Sequence, residues 1–80
     1  MGDLKWKNNS SSTVEWFFTT VLGSQSATLH SGNEHCQQNH PEIMSVGLKC
    51  EKGPVYVINN FNTKYDIELI ASDVIPIARQ

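Results

Sequence analysis

Basic residues are scarce in this chain of 80 residues. Six lysines and arginines stand against eight aspartates and glutamates, for a formal net charge of −2. The six, Lys5, Lys7, Lys49, Lys52, Lys64 and Arg79, never cluster. Nucleic-acid binding needs a basic stripe that displaces counterions, so nucleic acid is not an expected partner. No run of apolar residues approaches the roughly 20 that cross a bilayer, and no transmembrane segment is expected. The first residues lack the basic-then-apolar order of a signal peptide, although a processed secretory chain would look the same. Trp6 stands where a myristoylation signal wants Ser or Thr, which argues against that anchor. The five glycines are dispersed, so there is no phosphate-cradling loop. The carboxylates of Asp3, Glu15, Glu34, Glu42, Glu51, Asp66, Glu68 and Asp73 are equally scattered. No pair is spaced for acid and base work, and an enzyme is not expected.

With 39% apolar and 18% charged residues, the chain is composed like a folded domain. One domain of this size, residues 1–80, buries only about 60 to 65% of the surface its unfolded form exposes, so its core is small.

The apolar period is two, the period of a strand. In STVEWFFTTVL, Val14, Trp16, Phe18 and Thr20 fall on one face, with Phe17 the exception on the other. IMSVGLKC sets Met44, Val46, Leu48 and Cys50 against Ser45, Gly47 and Lys49. KYDIELIAS sets Tyr65, Ile67, Leu69 and Ala71 against Lys64, Asp66, Glu68 and Ser72. PVYVI is apolar on both faces and follows a Gly53-Pro54 turn. DLKW, SATLH and DVIPI are weaker candidates, Pro76 confining the last to an edge or a bulge. Turn signals recur between them, and no helical window is present. The fold expected is all-β: a small antiparallel β-sandwich or Greek-key domain of six to seven short strands.

The most chemically loaded stretch is SGNEHCQQNHPE, residues 31–42. Three readings compete for it. A disulfide between Cys36 and Cys50 needs only that the two meet, and would be worth about 3 kcal/mol in the chain-entropy model. Residues 31–42 would then be a tethered loop displaying its polar side chains. Structural zinc could use Cys36, Cys50 and His40 with His35, His30 or Glu34, but no Cys-x-x-Cys or His-x-x-x-His spacing supports it. A catalytic Cys36 would need a base, and adjacent His35 points to the opposite face of an extended chain. The disulfide is the expected outcome, with two inert buried thiols the alternative in a reducing compartment.

Two further stretches carry recognition chemistry. NNSSS contains the overlapping glycosylation sequons Asn8-Asn9-Ser10 and Asn9-Ser10-Ser11, or is a plain polar turn. NNFN sets Phe61 among Asn59, Asn60 and Asn62, an aromatic anchor with adaptable amides or a turn whose ring tucks into the core.

The run PEIMSVGLKCEKGPVYVINNFNTKYDIELIASDV resembles the join between two Greek-key motifs of a βγ-crystallin domain. There a strand ending in Ser-Val leads through a Gly turn to a strand carrying Tyr, then four residues, then Phe. Tyr56 and Phe61 match that spacing, and WFFTTVLGSQSATL would be the earlier motif, with Phe17, Leu22 and Gly23 in corresponding places. Asn62-Thr63 follows Phe61 where the family has Gly. The resemblance implies a Greek key and, through paired Asn or Asp residues before a Ser, calcium. NNSSS has that composition, making Asn8, Asn9 and Ser12 the calcium ligands it would supply, although it stands ahead of the first motif.

The leading expectation is a secreted, non-enzymatic recognition module, lectin-like, effector-like or toxin-like. It would need no cofactor and would contact a protein or carbohydrate partner through loops bearing Phe61, Asn59, Asn60, Asn62, His35 and His40. The alternatives are a crystallin-like structural or calcium-binding protein and a small zinc-stabilised intracellular domain. Free cysteines would point to the cytoplasm.

Overall fold

A computed structural model of the chain describes residues 2–50, 55–59, 61–73 and 77–79. Eight strands lie within them: β1 (Asp3–Asn8), β2 (Val14–Thr20), β3 (Gly23–Leu29), β4 (Glu34–Gln38), β5 (Ile43–Cys50), β6 (Val55–Asn59), β7 (Ile67–Ala71) and β8 (Ile77–Arg79). They form two four-stranded sheets, ordered β4-β1-β7-β8 and β3-β2-β5-β6. β1 runs parallel to β7, and the other pairings are antiparallel. The chain is thus the small all-β sandwich that its period of two predicts. The Gly53-Pro54 turn, Asn60 and Pro76 lie outside the described residues.

Six of the strands grow from segments legible in the sequence, and β8 meets the seventh segment, DVIPI, only at Ile77, residues 74–76 lying outside those described. The remaining strand, β4, comes from the stretch read as a loop. Its EHCQQ has no apolar face to announce it, but it pairs with β1, Trp6 opposite His35 and Lys5 opposite Cys36.

The core is shared between the sheets. Leu4, Trp6, Ile67, Leu69 and Ala71 from one meet Val14, Trp16, Phe18, Leu29, Ile43, Val46 and Leu48 from the other. Trp6 crosses the gap: its ring is fully buried, and its indole N–H donates to the Gly47 carbonyl of the opposite sheet at 3.0 Å. A buried indole N–H left unpaired would be costly, so this bond fixes how the two sheets stack.

One expectation is corrected in β5. The pairing of β2 with β5 shifts between Thr19, opposite Ser45, and Thr20, opposite Ile43, leaving Met44 as the extra residue of a bulge. Ile43 is therefore 5% exposed and Met44 55% exposed, the reverse of strict alternation. Ser45, on the same outer face as Gly47 and little exposed there, shares a hydrogen bond with Thr19. The exceptional Phe17 is also explained. It lies opposite Gly47 on the outer face, so close that a Cβ on Gly47 would be 2.3 Å from Phe17 Cζ. The bare glycine is the seat of the phenyl ring.

Candidate functional site

The chain crosses from one sheet to the other through residues 30–33, between β3 and β4. Two backbone bonds tie this crossing to the end of β1, Gly32 N–H to the Asn8 carbonyl and Asn8 N–H to the Asn33 carbonyl, and a third, Asn33 N–H to the His30 carbonyl, closes the crossing on itself. Gly32 has φ of +84°, a conformation that favours glycine. The consequence is architectural. β3 and β4, each the edge of its own sheet, flank the same open side of the sandwich.

Between the two edges runs a shallow groove with Trp16, Thr28, Leu29, Asn33, Glu34 and His35 along its walls. His35 lies flat on Trp16, ring centroids 4.0 Å apart and planes 7° from parallel, while Trp6 packs behind at 5.6 Å from the imidazole. His35 Nε2 is 3.2 Å from Gln37 Oε1, two residues along the same face of β4. The imidazole thus presents one face to Trp16 and closes the core on this side. Asn33 and Glu34 stand at the rim, Glu34 Oε2 3.8 Å from Lys5 Nζ.

β3 forms the other wall and differs from the other strands whose burial is described. Gly23 through Thr28 are all exposed, on both faces, and only Leu29 is buried. GSQSATL contains no charge and no proline. In an edge strand, alternate residues turn their N–H and C=O groups away from the sheet, and charge, proline or cover normally guards them. β3 has none of those guards in its own sequence. The β2–β3 hairpin tip is as unusual, because Val21 and Leu22, 77% and 89% exposed, occupy a turn where Asn and Gly are the common choice.

The structure scatters the residues expected to form the site. Cys36 and Cys50 are free thiols, so the expected disulfide is not formed. The reason is alternation. Cys36 is exposed, on the β4 face opposite to the half-buried His35 and Gln37, whereas Cys50 packs against the core from the other sheet. The same separation removes the zinc set, and among the described residues no group of three His, Cys, Asp or Glu could hold a metal. His30 is exposed, and half-buried His40 lies in the turn before β5, its carbonyl accepting from Ile43 N–H.

Asn8 is fully buried. Its Nδ2 donates to the carbonyls of Ser12 and Leu29, at 2.8 and 2.9 Å, and its Oδ1 accepts from the backbone and hydroxyl of Ser10. A calcium ion or a glycan at Asn8 would have to displace these bonds. Asn9 and Ser12 are exposed. Phe61 is partly buried against the core, and Asn62 caps its own turn through Lys64 N–H, so this segment acts as a tucked turn. Asn59 is exposed at the end of β6, and Tyr56, on which the crystallin resemblance rests, is half-buried in the same strand.

The features missed in the sequence are the unguarded β3 and the Trp16–His35 stack. The first was readable, since seven consecutive strand residues without charge or proline are plain in GSQSATL. The second was not, because it depends on β4 being a strand. Comparison of the chain with protein-family models, with curated proteins and with solved structures returns no match.

Proposed function

We propose that this domain is a non-enzymatic recognition module whose partner is polypeptide in extended form, taken up as an added strand along β3. One observation carries the reading: β3 is an uncharged, proline-free edge, exposed on both faces from Gly23 to Thr28, and its end at Ala27, Thr28 and Leu29 borders a groove. An added strand would satisfy the outward N–H and C=O groups of β3, and its alternate side chains would point into the groove beside Trp16 and His35. A saccharide offers hydroxyls but no donor and acceptor repeat matched to a strand edge, so polypeptide is favoured over carbohydrate. The contact surface is therefore a strand edge with a groove, in place of the loops at Phe61 and His40. The free thiols of Cys36 and Cys50 remove the argument for an oxidising compartment on which the extracellular expectation rested.

The test is to pan a displayed library of short random peptides against the folded domain and to map the binders by amide chemical shifts. Binders should perturb residues of β3 and the groove wall of β4, and Ser26→Lys should weaken them. Binders that map elsewhere, or that ignore the lysine, would contradict the reading.

A further inference from the structure

Two features of this chain lie at opposite ends of β3: an exposed aliphatic hairpin tip before it and an aromatic-floored groove after it. We infer that the strand partner taken up by β3 is a second copy of the same chain, paired antiparallel through β3 about a two-fold axis at Ser26. This rests on the reading of β3 as the recognition edge.

The register follows from the symmetry. With Ser26 opposite its own copy, Gln25 faces Ala27 of the second copy, Ser24 faces Thr28, and Gly23 faces Leu29. All are small or neutral, so no charge meets its own image, the condition an isologous strand pair must satisfy. The β4 edge lacks this property over its length, because EHCQQ carries Glu34.

The same operation continues past the strand. Leu22 of the second copy falls opposite His30, and Val21 falls opposite Ser31. Leu22 is about 14 Å from the axis at the rise of an antiparallel strand. That is the end of β3 where Leu29, Asn33 and His35 wall the groove. One rotation thus brings each copy's exposed Val21-Leu22 tip alongside the other copy's groove, twice over, and joins the two β3-β2-β5-β6 sheets into one continuous sheet. The tip's departure from normal turn chemistry then has a use: it is the anchor that lies beside the partner's Trp16 and His35 wall.

Sedimentation equilibrium on the full chain, up to ~1 mM, is the experiment. The wild type should form a dimer and no larger species, because the two-fold pairing closes. Ser26→Lys and Ser26→Glu should each raise the dissociation constant by at least about tenfold, since like charges oppose across the axis, and a 1:1 mixture of the two should restore a heterodimer. Leu22→Asp, at a site 89% exposed in the single chain, should also weaken the dimer at least about tenfold while leaving the fold intact. The lysine and glutamate mixture guards against loss of folding, because misfolded chains would not recover by mixing. A wild type that remains monomeric overturns the inference, as does a dimer indifferent to residues 22 and 26. If the monomer still binds panned peptides along β3, the reading of β3 as a recognition edge survives; if those also fail, both fall.

Discussion

His35 and Trp16 form a closed aromatic stack across the open side of the sandwich, the imidazole of one sheet's edge strand resting on an indole of the other sheet. Adjacent residues of an extended chain face opposite ways, which argues from the sequence against a partnership between His35 and Cys36, and β4 is such a chain. Strand alternation sends Cys36 outward and His35 onto the core. His35→Ala should lower stability by about 1 kcal/mol, the scale of one well-stacked aromatic pair, and should change tryptophan emission as Trp16 becomes exposed. His40→Ala should do neither. Urea denaturation followed by fluorescence checks both.

Asn8 and Asn39, the two buried asparagines among the described residues, should behave oppositely. Asn8 is satisfied at both ends of its amide and holds together the β1–β2 turn and the Leu29 carbonyl, so Asn8→Ala should cost about 3 kcal/mol through the polar groups it strands. Asn39 is also fully buried, yet among the described residues neither atom of its amide has a partner. Asn39→Leu should cost less than about 1 kcal/mol or stabilise, because it removes an unpaired amide from the interior. Thermal denaturation of the two variants side by side decides it, and equal losses would contradict the hydrogen-bond account.

Gly47 is a crowded position on the outer face of its sheet. An added Cβ would meet the Phe17 ring at 2.3 Å and the Tyr56 backbone carbonyl at 2.4 Å. The ring can move and the backbone cannot, so Gly47→Ala should cost about 1–3 kcal/mol. Pairing it with Phe17→Ala should recover only part of the loss. Full recovery in the double variant would show that the ring alone was the obstacle.

The thiols give a direct check on the strand assignment of β4. A thiol reagent should modify exposed Cys36 quickly and the part-buried Cys50 slowly, two thiols in all. Reductant should leave the melting temperature unchanged. A drop on reduction would restore the disulfide and remove β4 as described.

What the sequence revealed and what it hid differ in physical kind. Val14, Trp16 and Phe18 were legible as one face because alternating burial leaves a period of two in the residues themselves. Ile67, Leu69 and Ala71 were legible for the same reason. The bulge at Met44 was not, because it exists only in the register between β2 and β5, and neither strand alone encodes it. β4 was hidden because an edge strand at a polar groove buries little. The burial of Asn8 was hidden because a saturated amide and a solvated one are the same letter. Of the proposed site, β3 was written in GSQSATL as a lack of charge, a signal that matters only once the strand is known to be an edge.

Residue-resolved hydrogen exchange on β3 tests the central claim most directly. In the free monomer, β3 amides should alternate, those facing β2 exchanging slowly and those facing outward exchanging fast. When a peptide or a second copy occupies the edge, the fast set from Ser24 to Thr28 should slow until the alternation disappears, while the outer face of β5, at Lys49, is unchanged. If binding leaves the outward β3 amides fast and slows exchange somewhere else, the domain does not recognise its partner through this strand.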